Sequence, residues 1–86
     1  MFYVYALISL KDNDFYVGYT EDLRNRLDSH SKGDVKSTKY RRPLKLVYYE
    51  ASADAKDALK REKYLKTTWG KRYLRNRIKN YLEEDN

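Results

Sequence analysis

The chain contains 86 residues, enough for one domain with a small core. It has no cysteine, which excludes disulfide bonds, thiolate metal ligands and a cysteine nucleophile. The net charge of +6 is unevenly distributed: residues 35–82 carry fifteen basic and four acidic groups, whereas residues 1–34 carry four basic and six acidic groups. Such a basic block favours a polyanionic partner, nucleic acid above all, although a solvated lysine-rich surface has the same composition.

The ends of the chain predict neither targeting nor membrane insertion. The N-terminus has no basic segment followed by a long apolar one, so we expect no signal peptide. No stretch approaches the roughly 20 apolar residues that a membrane helix needs. We therefore expect a soluble, cytoplasmic protein with no membrane partner. Residues 1–82 predict a single domain, and the acidic tail at residues 83–86 is expected to be frayed.

The chain begins with a predicted β-hairpin. Residues 2–8 and residues 15–19 are rich in aromatic and β-branched side chains, and a polar turn at residues 11–14 separates them. Alternation of side chains then gives each strand two faces. In the first strand, the apolar face suited to a core consists of Val4, Ala6 and Ile8, and the opposite face of Tyr3, Tyr5 and Leu7. In the second strand Tyr16 and Gly18 share a face, so a tyrosine from each strand can stand on the same side of the sheet.

A first helix follows the hairpin. Thr20 is the predicted N-cap, the helix runs to about residue 31, and Gly33 is its predicted stop. His30, the only histidine, continues a stripe begun by two leucines at helical spacing. Arg26 lies four residues before His30, so the two side chains project together. Taken singly, each also suits a structural role: a half-buried histidine that closes a helix, and an ordinary surface arginine.

A third strand completes the predicted sheet. Residues 34–42 form a polar and basic loop, and Pro43 ends it and favours an extended conformation for Arg42. Residues 44–49 alternate as a strand does. The economical architecture is an α+β fold in which a three-stranded antiparallel sheet is flanked by three helices.

The second helix carries an anomaly, Glu62. Ser52 or Asp54 is the predicted cap of a helix over residues 55–66. The apolar stripe that Glu62 interrupts consists of Ala55, Ala58, Leu59 and Leu65, with Trp69 next in phase. A lone carboxylate on a core face costs several kcal/mol unless it is paired or neutralised. Glu62 therefore predicts a bound cation, a position at the edge of a cleft, or an ion pair with Arg26 or Arg61.

The last predicted helix follows a break at Trp69–Gly70. Its apolar stripe consists of Tyr73, Leu74, Arg77, Ile78 and Tyr81. Its other faces are basic, which adds to the positive charge of the second half of the chain.

The order of these residues resembles a known family. Tyr3-Val4-Tyr5, followed after ten residues by Tyr16-Val17-Gly18, resembles the two-part signature of the GIY-YIG nucleases, with tyrosine in place of the usual first glycine. By the same resemblance, Arg26 matches the arginine of the first helix and Glu62 matches the metal ligand of a later helix. The similarity is to the small stand-alone bacterial members and to the nuclease module of the excinuclease C subunit.

The resemblance implies a DNA endonuclease that uses one Mg²⁺ or Mn²⁺ ion. In that family a tyrosine is thought to activate water, the arginine to hold the scissile phosphate and the glutamate to hold the metal. The candidate catalytic residues are Tyr5, Tyr16, Arg26, His30 and Glu62, of which Glu62 is also the candidate metal ligand. Phosphodiester hydrolysis needs these functions, namely a polarised water and stabilised charge on the phosphate and leaving oxygen. The family's C-terminal asparagine has Asn76 and Asn80 as candidates, and neither is assigned.

Small members lack the extra DNA-binding domains of larger nucleases. The candidate nucleic-acid-binding residues are therefore Lys36, Lys39, Arg41 and Arg42, together with the basic helix faces, acting mostly through phosphates. A protein partner or homodimer is left open. Two other functions also remain open: a nucleic-acid-binding module without catalysis, and a protein-interaction adaptor that uses Tyr40 and Tyr49.

Overall fold

The architecture is an antiparallel sheet between two helical layers. A computed structural model describes residues 1–84. Strand β1 (Phe2–Ser9) lies between β2 (Phe15–Thr20) and β3 (Leu44–Ser52), in the order β2-β1-β3 with both pairings antiparallel. The predicted α+β fold with a three-stranded sheet is confirmed, and β3 extends three residues beyond its predicted end.

The register of the sheet places the tyrosines on one face. Tyr5 lies opposite Gly18 on β2 and opposite Tyr49 on β3, and Leu7 lies opposite Tyr16. The other face of the sheet carries the aliphatic side chains, as the alternation predicts. Because helices cover both faces, β1 is buried on both sides from its third residue to its end, which explains why it reads as nearly continuous apolar and aromatic sequence.

A buried serine holds the hairpin turn. The Ser9 hydroxyl oxygen accepts the backbone N–H groups of Lys11 and Asp12, both at 3.2 Å. The same hydroxyl donates to the backbone carbonyl of Arg41 at 2.6 Å. Asn13 adopts a left-handed φ of 59°, which asparagine tolerates better than most residues. The turn is therefore fixed locally and tied to the segment that precedes β3.

The first helix, α1, spans Leu23–Lys32 and packs on the tyrosine face. The predicted N-cap, Thr20, is wrong by two residues: the Asp22 carboxylate accepts the backbone N–H of Asn25 at 3.1 Å. Thr20 is instead the last residue of β2, and its hydroxyl bonds the backbone of Asp22. Gly33 ends the helix with a left-handed φ of 82°, as predicted.

The second half of the chain contains more helices than predicted. Helix α2 (Ala55–Leu65) is capped by Asp54, helix α3 is Thr68–Arg77, and helix α4 is Lys79–Glu84. Three α-helices are expected, but residues 1–84 form four, because the chain turns again at Ile78 between α3 and α4; a 3₁₀ helix at Lys39–Arg41 also lies in the loop before β3.

The predicted break at Trp69–Gly70 is also misplaced. Thr67 caps α3 by accepting the backbone N–H of Gly70 at 3.1 Å, so Trp69 and Gly70 lie in the first turn of that helix. The boundary between α2 and α3 therefore falls three residues earlier in the chain. The threonine, rather than the glycine, sets the boundary here, since its side chain accepts a hydrogen bond from a backbone N–H that has no partner within the helix.

The main core lies between the aliphatic face of the sheet and α2 and α3. Its buried members are Val4, Ala6, Ile8, Phe15, Val17, Ala58, Leu65, Leu74 and Ile78. Two residues of the predicted helical stripe are largely exposed: Leu59 is 47% exposed and Trp69 is 66% exposed. The predicted apolar stripe includes too many residues, because only the side of α2 that carries Ala58 and Leu65 packs against the sheet.

The predicted acidic tail begins within α4. Glu83 and Glu84 are the last two residues of that helix, and the last two residues of the predicted tail lie outside the described residues, so its fraying stays a prediction. No helix within residues 1–84 has both the length and the apolarity to cross a membrane.

Candidate active site

A buried hydrogen-bond relay connects β1, α1 and the loop after α1. The Tyr5 hydroxyl lies 2.7 Å from His30 Nε2, and Arg26 Nε donates to the same hydroxyl at 3.4 Å. On the other side of the imidazole, Nδ1 lies 2.7 Å from Thr38 Oγ1. Tyr5 and His30 are each 1% exposed and Thr38 is fully buried. The relay therefore links three segments of the chain through buried, hydrogen-bonded side chains that end at the arginine.

The donor and acceptor roles follow from the arginine. A guanidinium can only donate, so the Tyr5 oxygen accepts from Arg26. The buried Tyr5 hydrogen then needs an acceptor, and His30 Nε2 is the atom in reach. Nδ1 consequently carries the imidazole proton and donates to Thr38. This order leaves each buried polar atom of the relay with a partner.

Burial and charge keep the relay neutral apart from the arginine. Burial raises the pKa of Tyr5, and the hydrogen bond from Arg26 only partly opposes this. Burial, helped by the positive charge of Arg26, lowers the pKa of His30 to about 4. The hydrogen bond to Tyr5 raises the pKa of Arg26 still further. At neutral pH the phenol and imidazole are uncharged and the guanidinium carries the positive charge.

The second signature tyrosine lies beside this relay at a more accessible position. The ring centroid of Tyr16 is 6.4 Å from that of Tyr5 and 5.2 Å from that of His30. Its hydroxyl accepts a hydrogen bond from Ser37 Oγ at 3.3 Å and also interacts with Arg26. Tyr16 is only partly buried. The structure thus brings four of the five predicted residues together, with Tyr16 the more exposed of the two tyrosines.

The glycine of the second signature triplet makes room for Tyr5. Gly18 lies directly opposite Tyr5 in the register, and a Cβ at Gly18 would overlap the Tyr5 phenol ring and hydroxyl. The ring therefore lies across the glycine. This contact gives a physical reason for glycine two residues after Tyr16.

The fifth predicted residue, Glu62, lies on α2. Its Oε2 pairs with Lys66 Nζ at 3.0 Å, and its side chain is 19% exposed. The predicted alternative pairs are wrong: Arg61 pairs with Glu50 at 2.9 Å, and Arg26 binds Tyr5. Lys66 lies four residues after Glu62 at the end of the same helix, so the two side chains can pair without any contact between separate elements.

Glu62 nevertheless lies within electrostatic reach of the tyrosines. Burial is the main cause of the raised Tyr5 pKa, and the negative charge of Glu62 is a smaller contribution to the same shift. Burial also raises the pKa of Tyr19, with Glu21 and Glu62 adding to it. The carboxylate therefore shares the electrostatic environment of the relay without being hydrogen-bonded to it in the contacts recorded for residues 1–84.

The donor set fits a Mg²⁺-type ion rather than a closed metal cage. Within the described residues, no group of three histidine, cysteine, aspartate or glutamate side chains converges. Mg²⁺ commonly binds through one or two carboxylates and keeps several waters for substrate phosphates. Glu62, with one hard oxygen donor group and a partly exposed side chain, matches that mode.

The predicted phosphate-binding residues fall into two groups. Arg41 binds the Asp12 carboxylate through Nε at 2.8 Å and Nη2 at 3.2 Å, and Arg42 Nε donates to the backbone carbonyl of Lys39 at 2.9 Å. These two arginines hold the loop against the hairpin and α1. Lys36 and Lys39 lie on the same loop and are exposed, so these two predicted phosphate-binding residues are accessible to a nucleic acid.

Sequence reasoning missed Ser37 and Thr38, which contact Tyr16 and His30 respectively. Both lie in the loop that was interpreted only as polar and basic. The available signal was Val35, an aliphatic residue in this loop that is 7% exposed. Burial of Val35 holds the loop against the core, and Thr38, three residues later, lies within hydrogen-bonding distance of the imidazole.

Fold and site together define the nuclease-like α+β class that the tyrosine signature predicts. The family model described as the GIY-YIG catalytic domain matches residues 1–77. The chain therefore belongs to the GIY-YIG family.

Within that family the chain is similar to small bacterial proteins. It is 37% identical over 81 residues to the UPF0213 protein YazA of Bacillus subtilis. That alignment covers 93% of this chain and 77% of YazA. It is 42% identical over 66 residues to the UPF0213 protein SSP2268 of Staphylococcus saprophyticus, covering 76% and 79% of the two chains. The solution NMR structure of the UPF0213 protein BH0048 from Bacillus halodurans matches with a TM-score of 0.53 and 35% identity, covering 86% of this chain and 82% of that one.

Proposed function

We propose that the protein is a cytoplasmic DNA endonuclease that hydrolyses phosphodiester bonds and depends on Mg²⁺ or Mn²⁺. The observation that supports this most directly is the relay that fixes Arg26 through Tyr5 and His30 beside Tyr16. A permanently charged guanidinium held by a buried neutral relay is a preorganised site for a phosphate. Membership of the GIY-YIG family supports the same chemistry.

Arg26 is the proposed phosphate-binding residue. Its Nε is engaged by Tyr5, which orients the planar group relative to the sheet. Guanidinium forks match two phosphate oxygens in a way that a lysine ammonium does not. Charge that develops on the phosphate in the transition state is then met by a donor that needs no reorganisation.

Tyr16 is the proposed catalytic tyrosine, acting on the attacking water. It is more exposed than Tyr5, so its hydroxyl can reach a solvent water, and it interacts with the Arg26 guanidinium that is proposed to bind the phosphate. Tyr5 is instead a positioning residue, because burial raises its pKa and its hydroxyl is engaged by Arg26 and His30.

Glu62 is the proposed ligand of the metal ion. A bound Mg²⁺ or Mn²⁺ supplies Lewis-acid stabilisation of phosphate charge and a polarised water. The Lys66 ammonium, which pairs with Glu62, is 53% exposed, so releasing the carboxylate to a metal ion would cost little.

Nucleic-acid binding without catalysis is the second candidate function. The observation in its favour is the Glu62–Lys66 pair, which occupies the carboxylate with an internal cation. In that case Lys36 and Lys39 on the loop still attract phosphates. Binding then weakens as salt rises, whereas metal has no effect on the integrity of the DNA.

The function is tested by cleavage of a substrate set comprising single-stranded, duplex, flapped and branched DNA, with RNA beside them. Each is incubated with Mg²⁺, Mn²⁺ or chelator and with the wild-type, Glu62→Gln or Asp57→Asn protein. Asp57 is an exposed acid on the same helix and serves as the matched control. We expect metal-dependent cleavage that Asp57→Asn retains and Glu62→Gln loses. Salt-sensitive binding with no cleavage in either metal would favour the second candidate.

The roles of the tyrosines are separated by two matched variants. Tyr16→Phe should abolish cleavage with little loss of stability, since within residues 1–84 its hydroxyl contacts the exposed Ser37 and the Arg26 guanidinium. Tyr5→Phe should lower the free energy of unfolding by about 1–3 kcal/mol, because it leaves buried partners on His30 and Arg26 unsatisfied. The reverse pattern would show that Tyr5 is the catalytic tyrosine.

A further inference from the structure

An open cleft lies next to the relay on the same face of the sheet. Its volume is about 570 Å³. Side chains of β1, β3 and the beginning of α1 form its walls, chiefly Tyr3, Tyr49, Leu23, Leu27, Glu21 and Arg24. The functions proposed for the relay use none of these residues.

Two tyrosines form the aromatic wall of this cleft. The ring centroids of Tyr3 and Tyr49 lie 6.2 Å apart with an interplanar angle of 59°. Tyr49 is 52% exposed, so a large part of this aromatic side chain is open to solvent beside the cleft. Tyr3 occupies the signature position where glycine is usual, so this wall is a feature of the chain's own sequence.

Residues of the cleft wall neighbour the residues of the proposed phosphate site. Tyr49 lies directly opposite Tyr5 in the register, and Tyr3 lies two residues before Tyr5 on the same face. Leu27 follows Arg26 on α1. This adjacency would bring the nucleotide next to a phosphate bound by Arg26 close to the tyrosine pair.

The polar groups of the wall suit a base rather than a cation or an apolar ligand. Glu21 offers carboxylate oxygens, which accept hydrogen bonds from the exocyclic amino groups of bases. Arg24 adds a positive charge that favours a phosphate and opposes a cationic side chain. The other carboxylate of the wall, that of Asp22, is already engaged as the cap of α1.

We propose that this cleft binds an unpaired nucleobase of the DNA strand held at Arg26. The base stacks on Tyr49, and its amino group donates to Glu21. The proposal rests on the proposed function for its choice of DNA, and it narrows the substrate class to strands with unpaired bases beside the scissile phosphate. Adenine, cytosine and guanine are preferred over thymine, which has no exocyclic amino group.

The test measures stacking directly and needs no cleavage. A short single-stranded oligonucleotide containing 2-aminopurine is titrated with protein in chelator at low salt, beside an oligonucleotide of equal length with abasic sites. Quenching of the fluorescent base reports stacking. Tyr49→Ala should weaken binding of the base-containing strand roughly 5- to 150-fold, the equivalent of about 1–3 kcal/mol per stacked base, and leave the abasic strand unchanged. Tyr49→Phe should retain both quenching and affinity.

A second variant keeps the proposal testable if Tyr49→Ala fails to fold. Glu21→Gln leaves the aromatic wall intact, and it should reduce the preference for cytosine over thymine at the same position of an unlabelled strand that competes with the probe. Wild-type protein that does not quench the probe would overturn the proposal. So would a Tyr49→Ala variant that loses affinity equally for both strands, because that loss would belong to the fold or to phosphate binding.

Failure of this proposal and failure of the proposed function have different signatures. A protein that quenches the probe but cuts no substrate in either metal retains the base site and lacks the nuclease activity. A protein that cuts flapped and duplex DNA equally well, with Tyr49→Ala cutting both at wild-type rates, is a nuclease whose cleft does not bind a base.

Discussion

Acid should destabilise this protein through its single histidine. His30 is 1% exposed, and its two ring nitrogens contact Tyr5 and Thr38, whose hydroxyls match the neutral imidazole. Burial and the nearby Arg26 charge lower its pKa from 6.5 to about 4. On acidification, the imidazole of the unfolded chain is therefore protonated near pH 6.5, whereas the imidazole of the folded protein is protonated only near pH 4.

The size and sign of the effect follow from that shift. The stabilisation that the neutral imidazole provides is complete above the unfolded pKa of 6.5 and is lost as the pH falls toward 4. Between about pH 7.5 and about pH 4.5 the predicted loss is about 2–3 kcal/mol of the free energy of unfolding, at 1.36 kcal/mol per pKa unit. For a domain of this size such a loss is a large share of the total stability.

Urea unfolding at several pH values across this window measures the effect. The matched variant is His30→Gln, whose amide can still donate and accept between Tyr5 and Thr38 but does not titrate. We expect the wild type to lose stability with acid much more steeply than the variant. The single histidine also gives one imidazole resonance, which should not titrate until near pH 4. Equal slopes for the two proteins, or a resonance that titrates near pH 6.5, would refute the buried neutral imidazole.

Three further substitutions probe other contacts. Gly18→Ala should lower the free energy of unfolding by about 1–3 kcal/mol, because its Cβ overlaps the buried Tyr5 ring; unchanged urea unfolding would contradict that contact. Asp12→Asn should lower the melting temperature at neutral pH. The Arg41 hydrogen bond, as the first cause, lowers the Asp12 pKa from 3.8 to about 2, so the difference from wild type should shrink as the pH falls through that range. Glu62→Gln should change the metal-free stability by less than about 1 kcal/mol, since its lysine partner is 53% exposed; a larger loss would identify the pair as structural.

The sequence was sufficient to predict the sheet and which side chains come together at the candidate site, apart from those of the loop after α1. Alternation assigned Tyr5 and Gly18 to one face of the hairpin, and helical spacing placed Arg26 with His30. Both assignments depend on local periodicity, because the spacing of residues along a strand or helix determines which side chains share a face. The resemblance to the GIY-YIG nucleases then indicated which of these residues to consider together.

The features that were missed depend on tertiary contacts or on competing local partners. Thr38 is buried because the loop after α1 turns inward on Val35, and no periodic pattern signals such a turn. Trp69 was assigned to a core stripe because it continues the phase of α2, but the Thr67 cap starts a new helix and leaves it exposed. Glu62 pairs with Lys66 rather than with Arg26 or Arg61, because both arginines have other partners and Lys66 lies one helical turn further along, at the end of α2.

The central claim is that Arg26, fixed by the Tyr5 and His30 relay, binds the phosphate that is cut. Single-turnover cleavage of a flapped DNA in Mn²⁺ by the wild type, Arg26→Lys and Arg26→Ala tests it most directly. We predict a loss on the order of 10²–10³-fold for Arg26→Ala, with Arg26→Lys recovering only part of it because lysine lacks the fork. Wild-type rates in Arg26→Ala, in protein that remains folded, would contradict the claim and place the active site elsewhere.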